Sequence, residues 1–313
     1  MKIALDPHMF RFTPLLELPR LVAELGFEWI ELSPRNDVLP FFNHPRIDDA
    51  TVRRFRAELD AAGVGIASVL PLYRWSGPDE DDRQAAVRYW KRAVQITADL
   101  GVDVMVSEFN GRPEAPGRSE GQFWRSMEEL LPIFEREGIT LKLEPHPDDF
   151  IEDGHAAVDM VRGINSPNVQ FLYCTPHTFH MGDDAPGIIR HAGDLLTHVH
   201  LADTFNHTAS SGLRYIVNPP GSPARVHQHL DIGQGRSTGT SSSSASRTTA
   251  STGSSSPASS PGRTAPASPL RTCATRSTNT CGSTGESTAG AAAAPATALD
   301  EQPHNTPNDG GLC

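Results

Sequence analysis

The sequence contains no run of about 20 apolar residues, the length that a helix needs to cross a bilayer. Its start, MKIALDPHMF, lacks the basic segment, apolar run and small-residue cleavage site of a secretory signal. Cysteine is scarce before residue 236, where only Cys174 occurs, so no disulfide framework is expected. These absences predict a cytoplasmic protein without a membrane partner.

The last 78 residues, 236–313, contain no Val, Ile, Met, Phe, Tyr or Trp. Such a segment cannot bury enough apolar surface to offset the entropy lost on ordering. We therefore predict a folded domain over 1–235 and a disordered, low-complexity tail over 236–313. The predicted domain carries 22 basic and 34 acidic residues, a net charge of −12, so nucleic acid is not an expected partner.

Short apolar runs alternate with amphipathic stretches up to residue 203, which is typical of βα units around a parallel sheet. The predicted strands are 2–6, 29–33, 65–73, 103–109, 140–146, 169–174 and 196–203, and the clearest predicted helices are 48–63, 81–101 and 119–138. About seven such units indicate an α/β protein with an incomplete TIM (β/α)8-type barrel. A doubly wound sheet is the rival, but DPHMFRFTP follows strand one where a glycine-rich phosphate loop would stand.

Polar residues cluster at the C-terminal ends of these strands, where TIM barrels carry their reactive groups. They are Asp6, His8, Glu31, Tyr73, Arg74, Glu108, Asn110, Glu144, His146, Cys174, His177, His198, His200 and Asp203. Mixed carboxylates and imidazoles suit a divalent metal of the Zn, Mn or Co type, whereas oxygen ligands alone favour Mg or Ca. Strand alternation turns Glu144 and His200 inward and nearest the mouth, so they are the first candidate ligands.

Four ordered pieces carry a family resemblance: LEPH ending strand five, CTPHTFH after strand six, HVHLAD in strand seven, and HQHLDIGQG after it. Together they resemble the xylose isomerase-like TIM barrels over residues 1–235. That superfamily includes sugar and sugar phosphate isomerases and epimerases, inosose dehydratases and endonuclease IV. Its ketose epimerases hold a metal through Glu, Asp, His and Glu on strands five to eight, which implies that Glu144 and His200 are ligands here.

The resemblance leaves three further positions open. Cys174 stands where the family has its Asp, and it is either a thiolate ligand or an inert buried hydrophobe. His177 matches a histidine that contacts sugar hydroxyls in epimerases and metal in endonuclease IV. His229 resembles a metal ligand of endonuclease IV, with His227 in place of an Asp, although an exposed loop pair that binds nothing is the alternative.

Other residues receive roles from the chemistry. Glu108 is a candidate second acid/base beside Glu144, because isomerisation needs one group to remove a proton and another to return it. The candidate substrate contacts are His8, His146, Arg112, Trp75 and Asn206, with Trp75 as a stacking face for a sugar. Arg112, Trp75 and Asn206 could equally be solvated loop residues, and Asp6 and Glu31 simple hydrogen-bonded groups.

The predicted function is a metal-dependent isomerase or epimerase of a sugar, sugar phosphate or polyol, acting through an enediolate with Mn, Co, Zn or Mg. An inosose-type dehydratase and a truncated, inactive barrel are the alternatives. Cleavage of abasic DNA ranks third, because the acidic balance disfavours phosphate binding. A homo-oligomer is compatible with the sequence, which fixes no subunit count.

The tail offers no obvious eighth βα unit, which would leave strands one and seven with unpaired edges. We interpret the tail as translation in a shifted frame. With suitable codons, restoring one nucleotide before Arg236 yields EVDWDEFF, and regrouping residues 252–264 yields an apolar, strand-like segment. A genuine flexible tail is the alternative, and sequencing the gene around codon 236 distinguishes the two.

Overall fold

The computed structural model describes residues 2–181, 184–204, 213–214, 227–235, 237 and 271–274. The predicted α/β barrel class is confirmed: parallel strands alternate with helices along the chain. The main strands are β1 (Lys2–Ala4), β2 (Trp29–Leu32), β3 (Gly65–Val69), β4 (Val104–Glu108), β5 (Thr140–Glu144), β6 (Val169–Cys174) and β7 (Leu196–Leu201). Two short strands, β8 (Leu213–Arg214) and β9 (His227–Gln228), pair with each other.

The helices follow the strands as a TIM barrel requires. They are α1 (Leu18–Glu24), α2 (Asp49–Ala62), α3 (Glu80–Asp99), α4 (Pro116–Glu137), α5 (Gly154–Ile164), α6 (Thr175–His180) and α7 (Ala185–Ala192). None of the described helices is both long and apolar enough to span a bilayer.

Local sequence sets the helix ends, as α2 illustrates. The Asp48 carboxylate accepts a hydrogen bond from the Thr51 backbone N–H at 2.7 Å, which satisfies one of the first helical donors. The helix stops at Gly63, whose φ of 67° lies in the left-handed region that favours glycine. Val52, Phe55 and Leu59 lie buried on one face at the three-to-four spacing.

The structure contains one barrel strand that was not predicted from the sequence. Residues Arg271–Ala274 form β10, which pairs in parallel with β7 on one side and β1 on the other. A parallel bridge between Leu5 and Ile30 joins β1 to β2, so the ring of eight strands closes. Because ladder hydrogen bonds use backbone groups, a segment without an apolar pattern fills this position.

The remainder of the predicted tail lies outside the described residues, apart from residue 237. The segments behind the frameshift hypothesis, 236–244 and 252–264, likewise lie outside them except for that residue. The disordered-tail boundary and the shifted frame therefore remain predictions.

Candidate metal centre

A pocket opens at the C-terminal ends of the strands, as the barrel prediction requires. Its empty volume is about 650 Å³ when the open, solvent-filled mouth is counted. Four carboxylates and five imidazoles line it together with an apolar wall. The lining includes Asp6, His8, Glu31, Glu108, Glu144, His146, His177, His200, His229, Phe41, Leu70 and Leu72.

Seven of the polar residues at or below this opening form what we call the mouth cluster. Its members are Glu31, Glu144, Cys174, His177, His198, His200 and His229. His200 lies at its centre, because Nδ1 is 3.1 Å from Glu144 Oε2 and Nε2 is 2.9 Å from Glu31 Oε1. The predicted inward direction of Glu144 and His200 is thus confirmed by their contact.

Glu31 is held from two further sides. Ser68 donates its hydroxyl hydrogen to Glu31 Oε2 at 2.6 Å, and His198 Nε2 lies 3.3 Å from the same oxygen. All three residues are at least 98% buried. The sequence left Glu31 either functional or simply hydrogen-bonded; its contacts place it against His200 within the mouth cluster.

His177 lies one turn into α6, which begins directly after β6. Its Nδ1 is 3.2 Å from the Pro145 carbonyl oxygen, which can only accept, so Nδ1 is the donor. The same nitrogen lies 3.4 Å from Glu144 Oε2, and Nε2 lies 3.2 Å from His229 Nε2. The structure therefore joins His229 to the site instead of exposing it, whereas the side chain of His227 lies outside the description.

The glycine-rich turn after His229 is fixed by Asp203 at the end of β7. Asp203 and Leu230 exchange two backbone hydrogen bonds of 2.8 Å, and the Asp203 carboxylate accepts from the N–H groups of Gly233 and Gly235. A Cβ on Gly235 would come within 2.4 Å of the Thr204 carbonyl oxygen. Only glycine fits there, so the turn is bound tightly enough to direct His229 towards His177.

The donor set fits a divalent cation. Ligand atoms of Glu144, Cys174 and His200 lie within 4.8 Å of one another, as do those of Cys174, His177 and His229, and those of Glu31, His198 and His200. Moreover, the buried Nε2 of His200 has no hydrogen-bond partner among the described residues despite its 2.9 Å approach to Glu31. A buried nitrogen close to a carboxylate without a hydrogen bond is what a site for a shared ion presents.

Opposite charges dominate the electrostatics of the mouth cluster. Burial alone would raise the pKa of Glu144, but His200 and His177 outweigh it and hold that pKa well below its ordinary value. Burial alone would lower the pKa of His200, but Glu31 and Glu144 raise it well above its ordinary value. Carboxylates and imidazoles therefore stabilise each other's charged forms here.

Glu108 behaves in the opposite way, although it pairs in register with Glu144 on the neighbouring strand. Burial and the charge of Glu144 raise the pKa of Glu108 to about 8. His146 Nε2 lies 3.5 Å from Glu108 Oε1, and burial lowers the pKa of that imidazole to about 3. The two neighbouring carboxyl groups are thus held in different protonation states near neutral pH.

Sequence reasoning missed Asp149, which fixes the loop behind Glu108. Its carboxylate accepts from the N–H groups of Asn110 at 2.6 Å and Gly111 at 2.7 Å. Asn110 has a positive φ of 56°, so this clamp holds an uncommon backbone conformation two residues after Glu108. Only an Asp in a loop marks the position in the sequence, and the clamp spans about 40 residues, so no local pattern could have found it.

Of the five predicted substrate contacts, two line the pocket. His8 and His146 line the pocket, and His8 makes an edge contact with Phe41. Trp75 is 0% exposed and stacks on Trp90 with ring centroids 4.8 Å apart, so it is a core residue and the predicted stacking role is wrong. Arg112 is exposed and does not line the described pocket, while Asn206 lies outside the described residues.

Comparison with known proteins agrees with this geometry. A family model described as xylose isomerase-like TIM barrel matches residues 19–241. No curated protein matches the sequence.

Solved structures share the fold at low identity. A 3-keto-D-glucoside 4-epimerase from E. coli is 17% identical with a TM-score of 0.62, over 89% of this chain and 94% of that one. D-psicose 3-epimerase from Clostridium cellulolyticum H10 is 20% identical, TM-score 0.56, over 65% and 73%. A family 2 AP endonuclease from Brucella melitensis is 22% identical, TM-score 0.54, over 65% and 81%. With the family model covering most of the barrel, this chain belongs to the xylose isomerase-like TIM barrel family.

Proposed function

We propose that this chain is a metal-dependent isomerase or epimerase that moves a proton next to the carbonyl of a sugar, sugar phosphate or polyol through an enediolate. The observation that carries the proposal is the convergence of Glu144, His177 and His200 in one pocket. Fold similarity to sugar epimerases supports the same reaction class.

The ion would take protein ligands from among Glu144, His200, His177 and His229. A divalent Mn, Co, Zn or Mg ion bound there would polarise the substrate carbonyl and the adjacent hydroxyl. The pocket itself orients the substrate between the imidazoles and the apolar wall of Phe41, Leu70 and Leu72. His8 and His146 line the same pocket and would supply hydrogen-bonding groups for substrate hydroxyls.

The two carboxyl groups on β4 and β5 would divide the proton transfer. Glu144 is ionised, and its Oε2 faces the imidazoles of His200 and His177, so Oε1 is the atom that accepts the substrate proton. Glu108, whose pKa is raised to about 8, holds a proton that it can return from the neighbouring strand. A pair of acids held in different protonation states is what removal and return of a proton require.

The test is exchange of a carbon-bound hydrogen with solvent. The purified chain is incubated in deuterated water with a panel of ketoses and ketose phosphates and with Mn, Co, Mg or Zn. We expect deuterium at the carbon next to the carbonyl, abolished by EDTA and strongly reduced by Glu144→Gln. Absence of exchange with every substrate and metal, in protein that binds metal, would contradict the proposal.

The same experiment separates the alternatives. An inosose-type dehydratase would release water and give an unsaturated or deoxygenated product, which mass spectrometry identifies. Cleavage of abasic DNA is disfavoured by the net charge of −12 over residues 1–235, because binding along a DNA backbone needs a basic protein surface. A truncated, inactive barrel would show neither bound metal nor a cooperative thermal transition that shifts with EDTA.

A further inference from the structure

Cys174 is the residue of the mouth cluster whose role as a ligand would determine which metal ion the cluster prefers. It ends β6, where its register partner on β7 is His200. The residue is 0% exposed and packs against Val104, Val106 and Leu172. Packing alone would make it a small hydrophobe, so its polar neighbours decide between the two interpretations.

Those neighbours surround the sulfur. Cys174 Sγ lies within 4.8 Å of ligand atoms of Glu144 and His200 in one group, and of His177 and His229 in another. Cys174 is the one residue shared by these two groups. The sulfur therefore lies where a ligand to an ion bound by either group would stand.

The separations suit a tetrahedral ion. Ligand nitrogens and oxygens about 2.0–2.1 Å from a zinc ion lie about 3.3 Å from one another at tetrahedral angles. The cluster already shows 3.1 Å between His200 Nδ1 and Glu144 Oε2, and 3.2 Å between the Nε2 atoms of His177 and His229. Either group of three, with Cys174 in both, therefore supplies three ligands of a tetrahedral ion after small side-chain adjustments, which leaves one position for the substrate.

We propose that Cys174 binds the metal as a thiolate, so that this site takes a thiophilic ion of the zinc or cobalt(II) type in preference to magnesium or manganese. The inference rests on the proposed metal-dependent function and specifies its ion. Sulfur and imidazole donors favour zinc and cobalt, whereas Mg²⁺ demands near-octahedral oxygen ligation. On binding, the thiol proton leaves to solvent as the sulfur–metal bond forms.

Cobalt(II) gives a readout independent of turnover, because a thiolate bound to cobalt produces a near-ultraviolet charge-transfer band. We expect this band in the full-length chain and in the control Cys273→Ser/Cys281→Ser/Cys313→Ser, which keeps Cys174 as the sole cysteine. Cys174→Ser should abolish the band and weaken zinc binding by more than about 100-fold, since loss of a ligand exceeds loss of a residue that only orients one. Cys174→Asp should shift competition from zinc towards manganese.

A second measurement protects the test against a Cys174 variant that fails to fold. X-ray absorption at the zinc edge of the triple-serine control should show one sulfur at about 2.3 Å. Nitrogen and oxygen scatterers alone, or cobalt spectra without the charge-transfer band, would overturn the proposal while leaving the deuterium-exchange test unaffected. Conversely, a sulfur ligand in a protein without proton exchange would support Cys174 and contradict the isomerase proposal.

Discussion

Two buried regions of the barrel differ in what holds them together. The mouth cluster consists of carboxylates, imidazoles and a thiol packed around His200 at the strand ends. Behind β3 to β5 lies an aromatic cluster of Trp75, Trp90, Phe109, Phe123 and Phe134, all 0% exposed. Its rings meet at centroid distances such as 4.8 Å for Trp75–Trp90 and 5.8 Å for Trp90–Phe134.

The difference teaches where stability and function reside. Aromatic packing gains free energy from burial and dispersion alone and needs no partner outside the chain. The mouth cluster buries charges whose desolvation offsets much of their mutual attraction, so it contributes little net stability and becomes useful when an ion or substrate arrives. Substitutions in the two regions should therefore have opposite signatures.

The largest effect should come from Glu144→Gln. Loss of the carboxylate removes a proposed ligand and proton acceptor, so turnover in the deuterium-exchange assay should fall by about 10²–10⁴-fold. The matched control is Glu137→Gln on the exposed face of α4, which should retain activity. Equal loss in both variants would break the assignment of function to the mouth cluster.

Trp90→Ala should show the reverse signature. Truncating this fully buried ring leaves a cavity and should lower the free energy of unfolding by about 3–5 kcal/mol. Phe12→Ala, at a side chain that is 85% exposed, serves as control and should change stability by less than about 0.5 kcal/mol. Urea unfolding measures both, and a Trp90 variant of unchanged stability would contradict the aromatic cluster's role.

Glu108, next to both regions, should make the stability of the protein depend on pH, and Glu108→Gln should remove this dependence. The pKa of Glu108 is about 8 in the native state, above its unfolded value, so the native state keeps a proton that the unfolded chain releases. This stabilisation is complete below about pH 4.3 and is lost as pH rises towards 8. In metal-free protein the wild type should lose up to about 1.4 kcal/mol per pH unit more than the variant across that window. Parallel pH profiles would contradict the raised pKa.

The smallest expected effect belongs to Trp75→Phe, where the two regions touch. The Trp75 indole N–H donates to the Glu108 carbonyl oxygen at 3.3 Å, so the aromatic cluster supports the end of β4. Losing this bond should cost about 1 kcal/mol of stability and reduce turnover only slightly. A large loss of turnover at unchanged stability would instead restore Trp75 as a substrate contact.

The sequence predicted those features that depend on a local pattern of residues. The seven predicted strands are confirmed, with ends shifted by a few residues. They could be predicted because short apolar runs that end in polar residues are visible in the local sequence. The predicted helix over 48–63 is confirmed as Asp49–Ala62, between the N-cap at Asp48 and the stop at Gly63. The inward direction of Glu144 and His200 followed from strand alternation, and His229 was left open for want of any signal linking it to His177.

Contacts between residues far apart in the chain could not be predicted from the sequence. Asp149 clamps Asn110 from another loop, and Trp75 turns into the core although its local sequence resembles a loop. The eighth strand position is filled by Arg271–Ala274, whose composition carries no strand pattern. In each instance the deciding interaction joins residues far apart in the chain, so its energy does not appear in any short window.

The amino-acid sequence by itself determined the barrel class, the order of strands and helices, and the presence of inward carboxylate and imidazole groups at the strand ends. Only the tertiary structure decided that His200 lies between Glu31 and Glu144, that His229 meets His177, and that Cys174 lies close to Glu144, His177, His200 and His229. The reason is physical: periodicity fixes which way a side chain points, whereas closure of the ring fixes what it meets.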